Sequence, residues 1–176
     1  MSRVRKTATR VGAFGDVDEL NSAIGVARAH DPGGAFDVWL AAIQNDLFDL
    51  GADLCLPGGG GGEEPPASGR APLRVAGEQV ERLERWCDEV NEGLEPLKSF
   101  VLPAGSPAGA ALHLARTICR RAERSTIALG DEEPINPQAV TYLNRLSDLL
   151  FILARAANRD AGGDVLWVPG GERPER

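Results

Sequence analysis

Residues 112–124, Leu-His-Leu-Ala-Arg-Thr-Ile-Cys-Arg-Arg-Ala-Glu-Arg, put four arginines within nine positions. Arg116, Arg120 and Arg124 recur at i, i+4 and i+8 and line one side of a helix. Like charges so spaced disfavour an isolated helix by about 0.2–0.5 kcal/mol per pair. Either carboxylates of the same fold or an anionic ligand must offset that. Arginine suits the second role because its planar fork grips phosphates and carboxylates bidentately. Asn144, on a later helical segment, can donate to a phosphate or a base. The competing reading pairs each arginine with a carboxylate such as Asp18 or Glu123 and leaves nothing for a ligand. Spacing alone keeps both readings open.

Other chemistries find less support. The chain has 176 residues, enough for one domain with its own core, and a net charge of −7, which argues against a broad nucleic-acid-binding surface. A di-iron bundle needs Glu-x-x-His pairs, and neither His30 nor His113 follows a glutamate by three. Nothing places a nucleophile beside His113, and no paired-acid glycosidase pattern stands out. Cys55, Cys87 and Cys119 lack metal-site spacing and read as reduced thiols, mostly small core residues, in a cytoplasmic protein. No apolar run is long enough to span a bilayer. The five glycines at 58–62 are not followed by Gly-Lys-Ser/Thr, so the Gly/Pro-rich stretch 57–72 reads as a flexible surface connection within one domain.

Five helices must position the arginines. The first is expected from Asp16, as N-cap with Glu19 completing a capping box, to Asp31. The second spans about 35–54, with Trp39, Ile43, Leu47, Leu50 and Leu54 inward. Asp46, Asp49 and Asp53 form another face, expected to be solvated, with pairing to arginines of a neighbouring helix as the alternative. A third covers about 76–92. The fourth, about 107–129, starts at a Ser106-Pro107 cap and packs through the small-residue seam Leu112, Ala115, Cys119, Ala122 and Thr126. The fifth starts at Asn136-Pro137 and runs to about 161. The apolar run Phe100-Val101-Leu102 precedes the fourth helix as a staple or plug, and Val165-Leu166-Trp167-Val168 should pack back on the bundle. The expected fold is therefore an all-α five-helix bundle, a single domain over 1–176.

Four stretches together carry a resemblance. They are Phe14-Gly15-Asp16-Val17-Asp18-Glu19-Leu20-Asn21-Ser22; Gln44-Asn45-Asp46-Leu47-Phe48-Asp49-Leu50-Gly51-Ala52; Phe100-Val101-Leu102-Pro103 with Arg116-Thr117-Ile118-Cys119-Arg120-Arg121-Ala122-Glu123-Arg124; and Tyr142-Leu143-Asn144-Arg145-Leu146-Ser147-Asp148-Leu149. The chain resembles the PduO-type ATP:cob(I)alamin adenosyltransferases, which are homotrimers of five-helix subunits. The resemblance implies attack of cob(I)alamin on C5′ of ATP, forming adenosylcobalamin and releasing triphosphate. It implies that Arg124 binds the polyphosphate and that Arg120 pairs with Asp18 of an adjacent subunit, at a site shared across the trimer interface. Asn144 would contact ATP. Phe100 would lie below the corrin and keep the lower axial position dry. Arg116, Glu19 and Glu123 are implied as supporting residues, and Lys6 matches a lysine near the nucleotide. Mg²⁺ would come with ATP, held by phosphate oxygens rather than protein ligands. An adenosylcobalamin-dependent enzyme would accept the product.

The family also carries an N-terminal Thr-Arg-Thr-Gly-Asp-x-Gly-type loop around the phosphates. Ser2-Arg3-Val4-Arg5-Lys6 resembles the segment just after that loop. Two rival expectations follow: a trimer that binds ATP or adenosylcobalamin with little or no catalysis, and a structural oligomer whose arginines form interface salt bridges.

Overall fold

The computed structural model describes residues 4–31, 33–56, 58, 72–159 and 161–170. Five α-helices follow one another: α1 (Thr9–His30), α2 (Asp37–Cys55), α3 (Gly77–Asn91), α4 (Pro107–Glu132) and α5 (Pro137–Arg159). Among the described residues there are no strands, only one antiparallel bridge between Val101 and Leu166. α4 packs between α1 and α5, while α2 lies against α1 and α3 against α5. The expected all-α bundle is thus observed. Apart from residues 58 and 72, the Gly/Pro-rich stretch 57–72 lies outside the described residues.

The seam on α4 explains its central place. Ala115, Cys119, Ala122 and Thr126 are fully buried, and their small size lets the helix axes approach closely. The Cys119 thiol donates to the Leu143 carbonyl oxygen at 3.2 Å. Ser106 caps α4 as expected, its hydroxyl oxygen accepting from Gly109 N at 3.0 Å. The same end is fixed to α5 by Asn158, which accepts from Ser106 N at 2.9 Å and donates to Ala104 O at 2.9 Å. Gly105 makes this possible: its φ is +111°, and a Cβ there would overlap the Asn158 amide.

The first helix departs from expectation. It begins at Thr9, so Asp16 is no N-cap and Glu19 closes no capping box. Its extra turns are held from outside. Thr9 Oγ1 donates to Glu132 Oε1 at 2.8 Å, and Arg10 donates to Glu133 Oε1 at 3.0 Å and to the Leu54 and Leu56 carbonyls. Asp18, Glu19 and Asn21 therefore lie mid-helix, away from the favourable N-terminal dipole. Asn21 is instead buried against α2, donating to Gln44 O at 3.0 Å while Gln44 Nε2 donates back to Asn21 O at 3.2 Å.

The α2 acids overturn the expected solvated face and follow the alternative, with Asp46 paired to Arg82 of α3. Asp53 is 1% exposed and Asp46 7%. Asp53 accepts from Arg74 Nη1 at 2.6 Å, Val75 N at 2.9 Å and Asn136 Nδ2 at 2.7 Å. Asp46 accepts from Arg82, from Gln79 Nε2 at 3.0 Å and from the buried Tyr142 hydroxyl at 2.8 Å. Burial, and then the Asp46 carboxylate, push the Tyr142 hydroxyl well above the usual tyrosine range. The α2 face expected to meet water instead ties α2 to α3 and α5. Trp39, expected in the core, is only partly buried and stacks on Trp86 with centroids 4.8 Å apart.

α4 runs to Glu132 and α5 stops at Arg159. Beyond α5, Gly162 and Gly163 take φ of +100° and +86°, and the Asn158 carbonyl accepts from both Ala161 N and Gly163 N. Cys87 and Cys119 are buried, whereas Cys55 is exposed, and all three are free.

Candidate functional site

The four arginines of α4 divide by direction. Arg121 turns toward α1 and donates to Glu19 and to Asp16 Oδ1, the latter at 3.3 Å; Ser125 Oγ also donates to Asp16. These bonds, Glu19 foremost, hold the Arg121 guanidinium above its ordinary range. Arg121 is thus the salt-bridge arginine between helices of this chain.

The other three are scarcely engaged. Arg124 is exposed and, among the described residues, donates only to the Arg120 carbonyl of its own helix, at 3.0 Å. Arg120 is half exposed and lies 3.6 Å from Glu123, one turn along. Arg116 makes no ion pair among the described residues, and its Nε is buried without a hydrogen-bond partner. Two of them, Arg116 and Arg120, border open space.

That space is two clefts meeting at Arg116 and Phe151. One, of about 490 Å³, is lined by Leu97, Ser99, Phe100, Val101, Arg116 and Phe151. The other, of about 260 Å³, is lined by Arg116, Arg120, Ser147, Asp148 and Phe151. An apolar, aromatic chamber therefore opens beside a polar one, with a guanidinium shared by both. Such an arrangement suits a large, mostly apolar ring system next to an anion.

Phe100 is held out rather than in. It is 77% exposed and meets Trp167 edge-on at 5.8 Å. Leu102 N donates to Val165 O and Trp167 N to Phe100 O, both at 2.8 Å, while Ser99 Oγ donates to Trp167 O at 2.8 Å. The run 100–102 is thus a strap fastened by the chain's tail. It is not a staple, because a staple residue would be buried against the helix that follows.

Glu123, 7% exposed, links the row to α5: its Oε1 accepts from Asn144 Nδ2 at 2.8 Å. Asn144, Asp148 and Phe151 follow at i, i+4 and i+7, so one side of α5 faces the row. Phe151 is the site residue that sequence reasoning missed. Its spacing from Asn144 was the available signal. His113, 1% exposed, packs edge-on to Phe151 at 6.0 Å, and burial lowers its basicity, as does Arg116.

The fold brings Arg116, Arg120, Arg124, Glu123, Asn144 and Phe100 to one region. It does not bring Asp18 or Lys6 there. Lys6 is exposed in the turn before α1. Asp18 is exposed and lies two residues, about 200°, around α1 from Asp16, which faces α4. Its carboxylate makes no ion pair among the described residues. It edges an apolar pocket of about 350 Å³ with Phe14, Val17, Leu47, Phe48 and Cys55, where Phe48 is 72% exposed.

Comparison with known proteins bears on all of this. The family pattern described as cobalamin adenosyltransferase matches residues 1–157. A corrinoid adenosyltransferase of Mycobacterium tuberculosis (strain CDC 1551 / Oshkosh) is 55% identical over 98% of this chain and 87% of its own. One from Bacillus subtilis (strain 168) is 41% identical over 93% and 82%. Among solved structures, a variant PduO-type ATP:corrinoid adenosyltransferase from Lactobacillus reuteri, complexed with cobalamin and ATP, superposes with a TM-score of 0.79. It is 36% identical, over 93% of this chain and 88% of that one.

Proposed function

We infer that this chain, which belongs to the cobalamin adenosyltransferase family, transfers the 5′-deoxyadenosyl group of ATP to cob(I)alamin. The cobalt(I) of the substrate attacks C5′, the C5′–O bond breaks, and triphosphate leaves with its electron pair. Cobalt(I) is a strong nucleophile and needs no side-chain base. The protein's work is to position two ligands and stabilise charge on the departing polyphosphate. The observation that carries this reading is the arginine row of α4, scarcely paired within the fold, whose Arg116 lines an aromatic chamber.

Within that reading, Arg124 takes the polyphosphate, Asn144 contacts ATP, Arg116 and Glu123 support the nucleotide, and Lys6, like Asp18, reaches it from an adjacent copy. Phe100, exposed on its strap, underlies the corrin, keeps water from the lower axial position and so favours four-coordinate cobalt. Among the described residues no group of three His, Cys, Asp or Glu side chains could hold a metal ion. Mg²⁺ entering with ATP would rely on phosphate oxygens and water, its usual habit at such sites.

The working unit in this proposal is a homotrimer with the nucleotide between copies. Its support is Asp18, which makes no ion pair among the described residues and lies beside exposed Phe48 at the edge of an apolar pocket that includes none of the arginines of α4. Arg120 pairs with Asp18 of an adjacent copy. Three free cysteines suit a reducing, cytoplasmic setting, and no helix among the described residues is long and apolar enough to cross a membrane. The product goes to an adenosylcobalamin-dependent enzyme, which direct transfer in the presence of a cobalamin trap would test.

The activity is tested with ATP, Mg²⁺ and chemically reduced cobalamin, followed by the absorbance change on adenosylcobalamin formation. No product would sink the reading. The pairing is tested by charge reversal: Asp18→Arg should abolish turnover and Asp18→Arg with Arg120→Asp should recover part of it. Recovery with Arg116→Asp instead would move the pair one helical turn.

A further inference from the structure

Glu123 divides its two oxygens between neighbours. Oε2 faces Arg120 Nη1 at 3.6 Å, and Oε1 accepts from Asn144 Nδ2 at 2.8 Å. The carboxylate is nine-tenths buried between α4 and α5. A side-chain amide has two unlike ends, and which end faces outward decides what it can recognise. A carboxylate beside an arginine accepts hydrogen bonds and donates none. Asn144 must therefore turn its NH₂ end to Glu123, because the opposite orientation would set its carbonyl oxygen against a carboxylate oxygen. Its Oδ1 is left for whatever occupies the site.

We propose that Glu123 is a positioning residue that locks Asn144 with its carbonyl oxygen toward the ligand, so that the site reads a hydrogen-bond donor on the nucleoside. This rests on the reading that Asn144 contacts ATP. It narrows that contact, since an outward Oδ1 cannot serve a phosphate oxygen. The donors ATP offers are the adenine N6 amine and the ribose hydroxyls. An analogue lacking the donor would leave Oδ1 desolvated and unpaired, the situation in which polar sites discriminate most strongly.

The test is steady-state kcat and KM for the full-length protein with ATP, ITP, 2′-deoxy-ATP and 3′-deoxy-ATP. Wild-type protein, Glu123→Gln, Asn144→Asp and the double variant are compared. All four nucleotides carry the same triphosphate, so ratios of kcat/KM between them cancel any change in the arginines' grip. Wild-type protein should prefer ATP over at least one analogue by about tenfold or more, and the disfavoured analogue names the donor. Glu123→Gln frees the amide to take either orientation, and the preference should fall toward unity, mainly through KM. Asn144→Asp alone opposes two carboxylates and should weaken every nucleotide. In the double variant the glutamine amide donates to the new carboxylate, whose second oxygen again faces outward, and net charge is unchanged. Its preference should return to within about threefold of wild type, a rescue that a merely structural role for Glu123 does not predict.

Active wild-type protein that treats all four nucleotides alike overturns this inference alone. So does an unchanged preference in Glu123→Gln, or a double variant no better than Asn144→Asp. Wild-type protein that makes no adenosylcobalamin from ATP overturns the reading of the site and this inference together.

Discussion

Two rows of charge run along this bundle, and they are treated oppositely. On α2, Asp46 and Asp53 are buried and bonded to Arg82, Gln79, Tyr142, Arg74, Val75 and Asn136. On α4, Arg116, Arg120 and Arg124 share one long contact with Glu123 and one bond to their own backbone. A buried charge must be matched inside the fold or it destabilises it. A charge left at a cleft can be matched by something else. Charge alone does not separate a clamp from a site; the extent of internal pairing does. Arg121 makes the point within one helix, since it belongs by sequence to the arginine cluster and by pairing to the clamps.

The largest effect should come from breaking a clamp. Asp53→Ala removes the buried carboxylate that Arg74, Val75 N and Asn136 share as acceptor and should cost about 3–5 kcal/mol of stability, read from urea unfolding midpoints. Asp53→Asn, which keeps an acceptor, should cost less. A near-neutral Asp53→Ala would mean that the buried acids are not clamps.

Next in size is the reverse experiment on the open row. Arg124→Ala should lower turnover about a hundredfold by removing charge stabilisation from the leaving polyphosphate. Its unfolding free energy should stay within about 0.5 kcal/mol of wild type. Should Arg124→Ala prove as destabilising as Asp53→Ala, the contrast between the rows fails.

The smallest effect belongs to a half-buried pair between the extremes. Arg28 Nε donates to Asp37 Oδ1 at 2.7 Å, and that bond holds the Asp37 carboxyl below the usual carboxylate range. Because the folded-state value is depressed, the pair's contribution is present above the unfolded value, near pH ~4, and is lost as pH falls through the folded one. The gap in melting temperature between wild type and Asp37→Asn should be small at pH 7 and shrink below about pH 4. A gap independent of pH would show that the carboxylate's charge contributes nothing.

Much of the fold was legible because its signals are local. Ser106-Pro107 and Asn136-Pro137 mark helix starts by their own chemistry, and the small-residue seam of α4 follows from period alone. The start of α1 was not legible. Its first turns lack a capping side chain and are held by Glu132, Glu133 and carbonyls of α2, partners far away in sequence. The α2 acids misled for a related reason. An i, i+3, i+7 acidic face looks solvated until Arg74 and Arg82 are known to cross over it. The arginines of the site showed in their spacing, whereas Phe151 was hidden as one apolar residue among many on α5.

The strap beneath the cleft sets an order of assembly. Val101 and Leu166 stand on either side of two whole helices, so their bridge cannot close until α4 and α5 have been made and have docked. During synthesis the arginine row is placed first, and Phe100 takes its position only once the tail arrives. A nascent chain halted before residue 165 would carry the anion-facing wall without its floor. Such a chain should hold the nucleotide more readily than the corrin, so cobalamin is the ligand whose binding reports that the protein is finished.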